Sequence, residues 1–567
     1  MLSRRDVLQV ALAAAAMAGL PGGARSQGRT VRQEDLLQFR AKGQVTLLHM
    51  ADCHAQLKPI YYREPSVNLG VGEANGLPPH LTDSELLERF GIEAGSRGAY
   101  ALSSADFENL ARAYGRVGGM DRIATLVKAI RGERGSERTL LIDGGDALQG
   151  SYTALQSRGG DMIRVMEALG VEITTGHWEF TLGANRVSEL FGDFKTRGAT
   201  GLDFLAGNVL ETDFQEPVFR AWRMYEKGGM RIAVIGQAFP YASVANPRWM
   251  VPVWSFGIRE DAVRRHVAAA RAAGADLVVL NSHNGFDVDR KLASRVEGID
   301  VILTAHTHDA LPVPIKVGRT LLVASGSHGK FLSRLDVEVK DRRIADFAYA
   351  LIPVLSDAIA PDPEMAAVVA EIRKPHEAML ATELARTDHL LYRRGNFGGT
   401  LDDVICSALM EERGAELSFS PGFRWGASLL PGQTITWDDV YNATAITYPN
   451  VYRIAMRGEA IKAVLEDVAD NLFNADPYYQ QGGDMVRTGG LGYTINVDEA
   501  MGRRISNMTL FKTGEPIEAT RDYIVAGWAS VQEGTQGPPV WELVARYLQR
   551  RQVIGPVPPA SVKVVRG

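Results

Sequence analysis

The most regular feature of the chain is a series of short apolar runs, each followed by a polar segment. The clearest of these runs lie at 44–50, 139–143, 276–280 and 300–304. Continuous apolar runs of this length predict buried strands. Helical periodicity lies between them, for example at 123–131 and 261–273. Strands that alternate with helices predict a layered α/β domain.

Two stretches interrupt this pattern. Residues 59–117 are rich in Pro, Gly, Asn and Ser, and we interpret them as a long insertion. A helix-like stretch at 364–381 predicts a connection to a second region. We therefore expect a first domain at 43–355, a linker helix at 356–385 and a smaller α/β domain at 386–560.

The N-terminus looks like an export signal rather than part of the fold. A paired arginine, Arg4 and Arg5, precedes an apolar run at 7–20. That run is shorter than the roughly 20 residues that span a bilayer, and small residues follow it as at a signal peptidase site. This is the form of a twin-arginine (Tat) signal over residues 1–27, and we expect a periplasmic protein. A membrane anchor or a chance arginine pair is the alternative.

Composition narrows the function further. The chain is 46% hydrophobic and 23% charged, as globular proteins are. Its 62 basic and 67 acidic residues give a net charge of −5, and removing residues 1–27, with three basic residues and one acidic, leaves −7. This argues against nucleic acid as a partner, and we expect no membrane contact after signal removal. The two cysteines, Cys53 and Cys406, exclude a disulfide scaffold.

Asp and His side chains occur in five segments that follow strand-like runs. The segments are Asp52-Cys-His54, Gly145-Asp146, Gly176-His177, Ser282-His283 and His306-Thr-His308. In layered α/β folds, ligands bind beyond the carboxyl ends of the strands. Carboxylate and imidazole groups suit a pair of divalent ions, Mn, Zn or Fe, that share one carboxylate. If the turn at His306 and His308 is extended, both side chains reach the same side.

The order of these motifs resembles the calcineurin-like metallophosphoesterases, and within them the 5′-nucleotidases. That family reads Asp-x-His, Gly-Asp, Gly-Asn-His-Glu, His and Gly-His-x-His. The resemblance implies a four-layer α/β/β/α catalytic domain and a smaller C-terminal α/β substrate-binding domain, joined by the linker helix. Carried over position by position, it implies a catalytic Asp146 that bridges two ions, one held by Asp52, His54 and His308, the other by His177, His283 and His306.

The third motif departs from the nucleotidase pattern. Nucleotidases read Gly-Asn-His-Glu-Phe-Asp, whereas this chain has His177, Trp178 and Thr181 in place of the Asn, the catalytic His and the Asp that orients it. His177 can still bind a metal, but Trp178 cannot transfer a proton. A general acid typically contributes about 10²–10⁴-fold when the leaving group is a basic alkoxide. A thiolate needs no such help, since a thiol has a pKa of about 8.5. The change therefore predicts a sulfur leaving group.

Longer segments resemble the SoxB family of thiosulfohydrolases of the periplasmic Sox sulfur-oxidation system. They include 54–59, 62–70, 176–183, 420–426, 430–437 and 476–484. The resemblance implies a dimanganese hydrolase in which a metal-bridging hydroxide is the nucleophile. Its substrate is a cysteine S-thiosulfonate on a Gly-rich arm of the carrier protein SoxYZ, and it releases sulfate. Members usually read Gly-Gly-Asp-Thr-Trp where this chain has Ala147 and Leu148 after Asp146, which alters the wall of the substrate channel.

Substrate contacts are expected from the second domain. Arg424 is predicted to bind the sulfonate oxygens, because a guanidinium matches a tetrahedral oxyanion; an interdomain salt bridge is the alternative. A channel for the carrier arm, or a plain surface loop, is expected at Tyr478, Tyr479, Gln480, Gln481, Gly482 and Gly483. Asn396 and Asn442 are weaker candidates for polar contacts. Cys53 should point away from the metals, and His328 is the strongest of the unassigned histidines.

Two other functions stay open from the sequence. One is a periplasmic 5′-nucleotidase or general phosphoesterase, which has the same fold and metals but needs the missing dyad. The other is a non-catalytic carrier-binding or metal-storage protein, against which the seven retained ligand positions argue. We expect a monomer, and manganese is the metal that the resemblance favours.

Overall fold

The chain forms two compact units in the computed structural model, which describes residues 31–192, 201–556 and 562–566. The first unit contains residues 31–60, 83–149 and 156–374, and the second contains 61–82, 150–155 and the described chain from 375 onward. The predicted signal, residues 1–27, lies outside the described residues. Among the helices of the described chain, none combines the length and apolar character that a membrane-spanning segment requires.

Strands and helices alternate through much of the first unit. Its strands are β1 Val45–Met50, β2 Thr139–Asp143, β3 Ile173–Thr174, β4 Asp203–Phe204, β5 Leu210–Glu211, β6 Trp222–Lys227, β7 Met230–Gln237, β8 Trp254–Ser255, β9 Leu277–Ser282, β10 Val301–Thr304, β11 Ile315–Val317, β12 Thr320–Ala324, β13 Phe331–Lys340 and β14 Arg343–Pro353. The helices up to residue 374 are α1 Gln33–Leu36, α2 Asp83–Phe90, α3 Arg97–Leu102, α4 Phe107–Tyr114, α5 Met120–Arg134, α6 Tyr152–Ser157, α7 Gly160–Leu169, α8 Ala184–Phe191, α9 Ala242–Ala245, α10 Glu260–Ala272, α11 Phe286–Arg295 and α12 Pro363–Arg373.

Two sheets form the centre of the first unit. The β1 sheet has the strand order β14-β13-β1-β2-β3-β4, and the β9 sheet has the order β11-β12-β10-β9-β7-β6. Their facing side chains, such as Leu47 and Val279, belong to one buried cluster. Helix α5 covers the outer face of the β1 sheet, where Arg134 donates to Thr46 Oγ1 at 2.8 Å. Helices α10 and α11 contact the strands of the β9 sheet. The predicted four-layer α/β/β/α arrangement is confirmed.

The predicted apolar strands are also confirmed, within one or two residues at their ends. They correspond to β1, β2, β9 and β10. Strands β1, β2 and β3 run parallel, and so do β9 and β10. Parallel neighbours end at the same edge of a sheet, so the loops that follow them lie together.

The prediction of a loop-like insertion at 59–117 is wrong in its second half, which contains α2, α3 and α4. These helices form because each has an apolar side to bury, as Leu86, Leu87 and Phe90 show in α2. Residues 61–82 lack such helices and pack within the second unit instead, where the Ser428 N–H donates to the Tyr61 carbonyl at 2.7 Å.

The predicted linker helix is two helices, α12 and α13 Glu377–Leu380. Asp362 caps α12 by accepting from the Met365 N–H at 2.9 Å. The break falls at Pro375, whose ring cannot continue a helix because it lacks an N–H.

The second unit is also mixed α/β, as predicted. Its strands are β15 Glu383–Thr387, β16 Leu417–Ser420, β17 Thr434–Thr436, β18 Tyr452–Arg457, β19 Arg487–Gly489, β20 Leu491–Asn496, β21 Ile505–Leu510, β22 Asp522–Gly527, β23 Val553–Ile554 and β24 Val562–Val565. The helices after α13 are α14 Thr400–Arg413, α15 Trp437–Thr444, α16 Gly458–Phe473 and α17 Val540–Arg551. The strands form three small sheets, ordered β18-β22-β16-β19, β17-β15-β23 and β21-β20-β24.

A buried network of charges holds the loops of the second unit. Asp402 accepts from Arg393 Nε at 2.8 Å and lies 3.4 Å from Arg487 Nε. Arg487 also donates to Asp484 at 2.8 Å and to the Gly395 carbonyl at 2.9 Å. Two buried guanidiniums are thereby balanced by two buried carboxylates.

Replacing Asp402 with Ala should destabilise the second unit by about 3–5 kcal/mol, because the two buried arginines are left with one carboxylate. Urea unfolding of the full chain, followed by tryptophan fluorescence, measures the loss. Glu411→Ala, which removes a carboxylate paired with Arg550 and Arg551 near the surface, is the control and should cost much less. Equal losses in the two variants would contradict the role given to the network.

Candidate metal centre

Five loops at the carboxyl edge of the two sheets bring the predicted ligands together. The loops after β1, β2 and β3 carry Asp52, His54, Asp146 and His177, and those after β9 and β10 carry His283, His306 and His308. All seven side chains are buried. The sheets face each other, so loops from both can reach one point.

The seven side chains form two groups that share Asp146. One group is Asp52, His54, Asp146 and His308, and the other is Asp146, His177, His283 and His306; within each, the candidate ligand atoms lie within 4.8 Å of one another. Asp146 Oδ2 lies 3.1 Å from His283 Nε2, 3.4 Å from His177 Nδ1 and 3.9 Å from His54 Nε2. One carboxylate oxygen thus faces histidines of both groups, as a bridging ligand must.

Hydrogen bonds on the far side of three histidine rings fix which nitrogen faces the centre. His54 Nδ1 lies 3.2 Å from the Gln149 carbonyl, and His283 Nδ1 lies 2.7 Å from the Gly144 carbonyl. His177 Nε2 lies 3.3 Å from Asn246 Oδ1. A carbonyl oxygen only accepts, so each of these nitrogens carries a proton, and the opposite nitrogen presents a lone pair when the ring is neutral.

The donor set fits a pair of divalent cations. His177 Nδ1 and His283 Nε2 are buried and make no hydrogen bond within the described chain. Lone pairs of this kind, beside buried carboxylates, suit Mn, Zn or Fe rather than Mg or Ca, which prefer oxygen ligands. The two buried clusters could therefore hold a dinuclear site, and the seven residues remain its predicted ligands.

The buried carboxylates and imidazoles of the site shift one another's pKa values. Burial lowers the pKa of His54 to about 4 and also lowers that of His177. Burial disfavours the protonated form of His283 too, but Asp146 and Asp52 raise its pKa to about 10. In turn, although burial disfavours its charged form, His283 and His177 hold the pKa of Asp146 well below its usual range. An incoming cation must therefore displace a proton from His283.

Five of the seven residues adopt a left-handed backbone conformation. They have φ values between 45° and 75° and are Asp52, His54, Asp146, His306 and His308. This conformation costs an L-residue roughly 1–2 kcal/mol, so the surrounding contacts must hold it in place. The turn at His306 and His308 is left-handed rather than extended, and the two side chains reach the same side of the sheets but belong to different groups.

Glu179 is a functional residue to which the sequence analysis gave no role. Its carboxylate is buried and accepts from the backbone N–H groups of Ala147 at 2.9 Å, Leu148 at 3.3 Å and His177 at 2.8 Å. It thereby joins the loop after β2 to the loop after β3. The Glu in the Gly-His-Trp-Glu motif was visible, but its partners are backbone groups, which a sequence does not single out.

Trp178 and Thr181 lie beside the predicted bridging residue. The Trp178 N–H donates to Asp146 Oδ1 at 2.8 Å, so the backbone at this position orients the carboxylate. Thr181 Oγ1 lies 2.8 Å from the Trp178 carbonyl and 2.7 Å from Gln149 Oε1. Neither side chain can act as an acid at neutral pH.

Cys53 belongs to neither group of candidate ligands among the described residues. It is fully buried, and burial raises the pKa of its thiol, which keeps it protonated and unreactive. His328 is also buried, and its ring centroid lies 5.4 Å from that of His54 and 5.8 Å from that of His308. The backbone N–H of His328 donates to the Asp52 carbonyl at 2.9 Å, so His328 supports the loop after β1.

In the second unit, Arg424 is buried and its Nη1 lies 3.5 Å from the Gly483 carbonyl. The Gly482 N–H donates to the Asn471 carbonyl at 3.1 Å. Arg424 and the Gly482-Gly483 segment are thus neighbours within this unit. The sulfonate contact of Arg424 stays a prediction.

The other predicted substrate residues differ in exposure. The Tyr479 side chain is 65% exposed, whereas Gln481 is half-buried. Asn396 is buried, accepts from the Leu69 N–H at 2.6 Å and donates to Asp484 at 3.4 Å. Asn442 accepts from the Ala427 N–H at 2.6 Å. Each asparagine thus accepts a hydrogen bond from a backbone N–H, and a substrate contact at these two positions stays a prediction.

Replacing Asp146 with Ala should reduce the bound metal from about two equivalents to fewer than one, since both groups lose a shared ligand. Elemental analysis after dialysis against manganese measures this directly. His266→Asn, which changes a histidine outside both groups, should keep two equivalents. Full metal retention in Asp146→Ala would contradict the bridging role.

Replacing Glu179 with Ala should lower the free energy of unfolding by about 3 kcal/mol, because three buried N–H groups lose their acceptor. Urea unfolding of the chelator-treated protein separates this effect from metal loss. Glu179→Gln keeps one acceptor oxygen and should cost less. A variant as stable as the parent would show that Glu179 does not support the loops.

Comparison with known proteins finds relatives among the 5′-nucleotidases. Residues 383–543 match the family model described as 5′-nucleotidase, C-terminal domain. The 5′-nucleotidase of Bos taurus is 22% identical over 463 residues, which cover 72% of this chain and 76% of that protein. The 5′-nucleotidase precursor of Thermus thermophilus, at 19% identity and a TM-score of 0.70 over 92% of this chain, shares the fold.

A solved structure with higher identity gives the family. Sulfate thiohydrolase SoxB of Thermus thermophilus is 37% identical, with a TM-score of 0.88, and the match covers 93% of this chain and 98% of that one. Identity at this level over nearly both whole chains goes beyond a common fold. The chain therefore belongs to the SoxB family of hydrolases, within the 5′-nucleotidase superfamily of metallophosphoesterases.

Proposed function

We propose that the protein is a thiosulfohydrolase that removes the sulfonate from a cysteine S-thiosulfonate on the carrier protein SoxYZ and releases sulfate. A metallophosphoesterase-type hydrolysis is common to this family and to its nucleotidase relatives. The finer assignment rests on one observation, the Trp178 and Thr181 pair in place of the acid and its partner.

Hydrogen bonds hold Trp178 and Thr181 in place, so a small movement of either residue would not restore the missing acid. The Trp178 backbone is held by Asp146, and the Thr181 hydroxyl is engaged with the Trp178 carbonyl and Gln149. The alcohol of a phosphate monoester would therefore have to leave as an alkoxide, without help from an acid. A persulfide or thiolate leaves without protonation, because it is stable as an anion at neutral pH.

The reaction conserves atoms and charge. Water and R–S–SO₃⁻ give R–S⁻, sulfate and two protons. A bond forms between the water oxygen and the sulfonate sulfur, and the bond between the sulfonate sulfur and the neighbouring sulfur breaks. The electron pair of the broken bond stays on that neighbouring sulfur. Bound divalent ions supply activation of the water and neutralisation of the sulfonate charge. Asp52, His54, Asp146, His177, His283, His306 and His308 would hold them.

Three further features belong to the proposal. Manganese is the proposed metal, Arg424 the proposed sulfonate ligand, and the Tyr479-to-Gly483 segment the proposed contact for the carrier arm. The similarity to a protein named sulfate thiohydrolase supports the sulfur substrate for which these features are proposed. Export to the periplasm through the Tat pathway follows from the paired arginines near the N-terminus, which lie outside the described residues.

The test compares sulfate release from thiosulfonated carrier with phosphate release from AMP, on the same manganese-loaded sample. The protein should release sulfate from the carrier and should hydrolyse AMP at least about 100-fold less efficiently, since no acid is present. Sulfate release should vanish in Asp146→Ala.

A double variant, Trp178→His with Thr181→Asp, is the matched gain-of-function control. It restores the nucleotidase acid and its partner, and it should raise AMP hydrolysis above that of the parent. Efficient AMP hydrolysis by the unmodified protein, with no sulfate release from the carrier, would favour the nucleotidase alternative.

A further inference from the structure

A buried amide lies next to the position of the missing acid. Gln149 follows the loop after β2 and is 4% exposed. Its Nε2 makes no hydrogen bond within the described chain. Buried side-chain donors almost always have a partner, so such a group beside a catalytic centre points to a ligand-facing role.

The rest of Gln149 is held in place. Its backbone carbonyl accepts from His54 Nδ1 at 3.2 Å, which ties it to a predicted metal ligand. Its Oε1 lies 2.7 Å from Thr181 Oγ1, whose single proton is shared with the Trp178 carbonyl at 2.8 Å. Because the hydroxyl engages Oε1, the amide N–H₂ is the group left to face another molecule.

The partners of Gln149 place it close to the residues that replace the nucleotidase acid and its partner. Thr181 and Trp178 occupy the positions at which nucleotidases carry the dyad that assists the leaving group. Gln149 therefore contacts the predicted ligand His54 through its backbone carbonyl and Thr181, at the position of the residue that orients the acid, through its amide oxygen. Trp178 cannot serve as the backbone donor there, since its N–H is donated to Asp146.

We propose that Gln149 Nε2 donates a hydrogen bond to the departing sulfur, as a neutral substitute for the absent acid. As the bond to the sulfonate sulfur breaks, its electron pair stays on the departing sulfur. The amide stabilises that negative charge without giving up its proton. The two protons of the overall hydrolysis go to solvent with the sulfate. The inference rests on the proposed function.

A neutral donor suits this leaving group. A thiolate or persulfide needs stabilisation of its charge but not protonation, and a hydrogen bond to a charged group contributes about a 10–100-fold factor. An amide cannot supply the proton that an alkoxide needs. The same residue would therefore assist a sulfur leaving group and leave a phosphate ester without an acid.

The test uses two leaving groups on one carrier. SoxYZ loaded as the cysteine S-sulfonate releases a thiolate, and SoxYZ loaded as the S-thiosulfonate releases the more acidic persulfide. Gln149→Met, which keeps the length but removes the donor, should lose about 100-fold in kcat/KM on the S-sulfonate and a smaller factor, about 10-fold, on the S-thiosulfonate, whose leaving group is the more stable anion. Metal content is measured on the same samples.

Asn246→Leu is the matched control. Asn246 is also a buried amide whose Nδ2 makes no hydrogen bond within the described chain, and its Oδ1 faces His177. No hydrogen bond joins Asn246 to Thr181 or Trp178 within the described chain. Its replacement should therefore change kcat/KM on both substrates by the same factor. If Gln149→Met does not load metal, Thr181→Val provides the second test, since it frees the amide to rotate and should give a smaller loss with the same substrate dependence.

The outcomes separate the two claims. An equal loss on both substrates in Gln149→Met, or in Thr181→Val where that variant is used, would overturn the donor role, because a structural defect does not depend on the leaving group. Failure of the metal-loaded parent to release sulfate from either form of the carrier would instead overturn the proposed function.

Discussion

The metal centre depends on one buried carboxylate that two groups of histidines share. Asp146 faces His54 on one side and His177 and His283 on the other, all within 4 Å of one oxygen. A negative charge at full burial needs compensation close to it, and at Asp146 the nearest groups that can carry positive charge are histidines or a bound cation. The low pKa of Asp146 and the high pKa of His283 are two expressions of this constraint.

The architecture of the first unit follows from bringing ligands from two sheets to that carboxylate. The loops must approach closely, and a Cβ at Gly144 would lie 2.8 Å from the Cβ atoms of Ala51 and Ala305. They must also turn sharply, which is why most of the ligand residues are left-handed. Glu179 helps to hold this geometry by binding three backbone N–H groups of the loops after β2 and β3.

Much of this was predictable from the sequence, for a physical reason. Strands β1, β2, β9 and β10 are fully buried, so they appear as continuous apolar runs, and the polar residues directly after them mark the ligand loops. The left-handed turns and the backbone contacts of Glu179 were not predictable, because they depend on how loops from two sheets meet. The helices within 59–117 were missed because Pro and Gly between short helices resemble the composition of a loop.

The second unit shows a related limit. Asn396 and Asn442 are predicted to make polar contacts with substrate, and in the structure their amide oxygens accept from the backbone N–H groups of Leu69 and Ala427. The buried network of Arg393, Asp402, Asp484 and Arg487 gave no sequence signal, since its two pairs, Arg393 with Asp402 and Asp484 with Arg487, lie far from each other along the chain. A polar residue in a Gly-rich segment can hold a loop as well as bind a ligand, and only the contacts distinguish the two.

A shared carboxylate, two buried groups of candidate metal ligands and a missing acid together define the proposed hydrolase centre. Anomalous diffraction from crystals of the manganese-loaded protein tests this most directly. The account predicts two peaks about 3.5–4 Å apart, both within coordination distance of the Asp146 carboxylate. A single peak, or two peaks of which only one contacts Asp146, would contradict it.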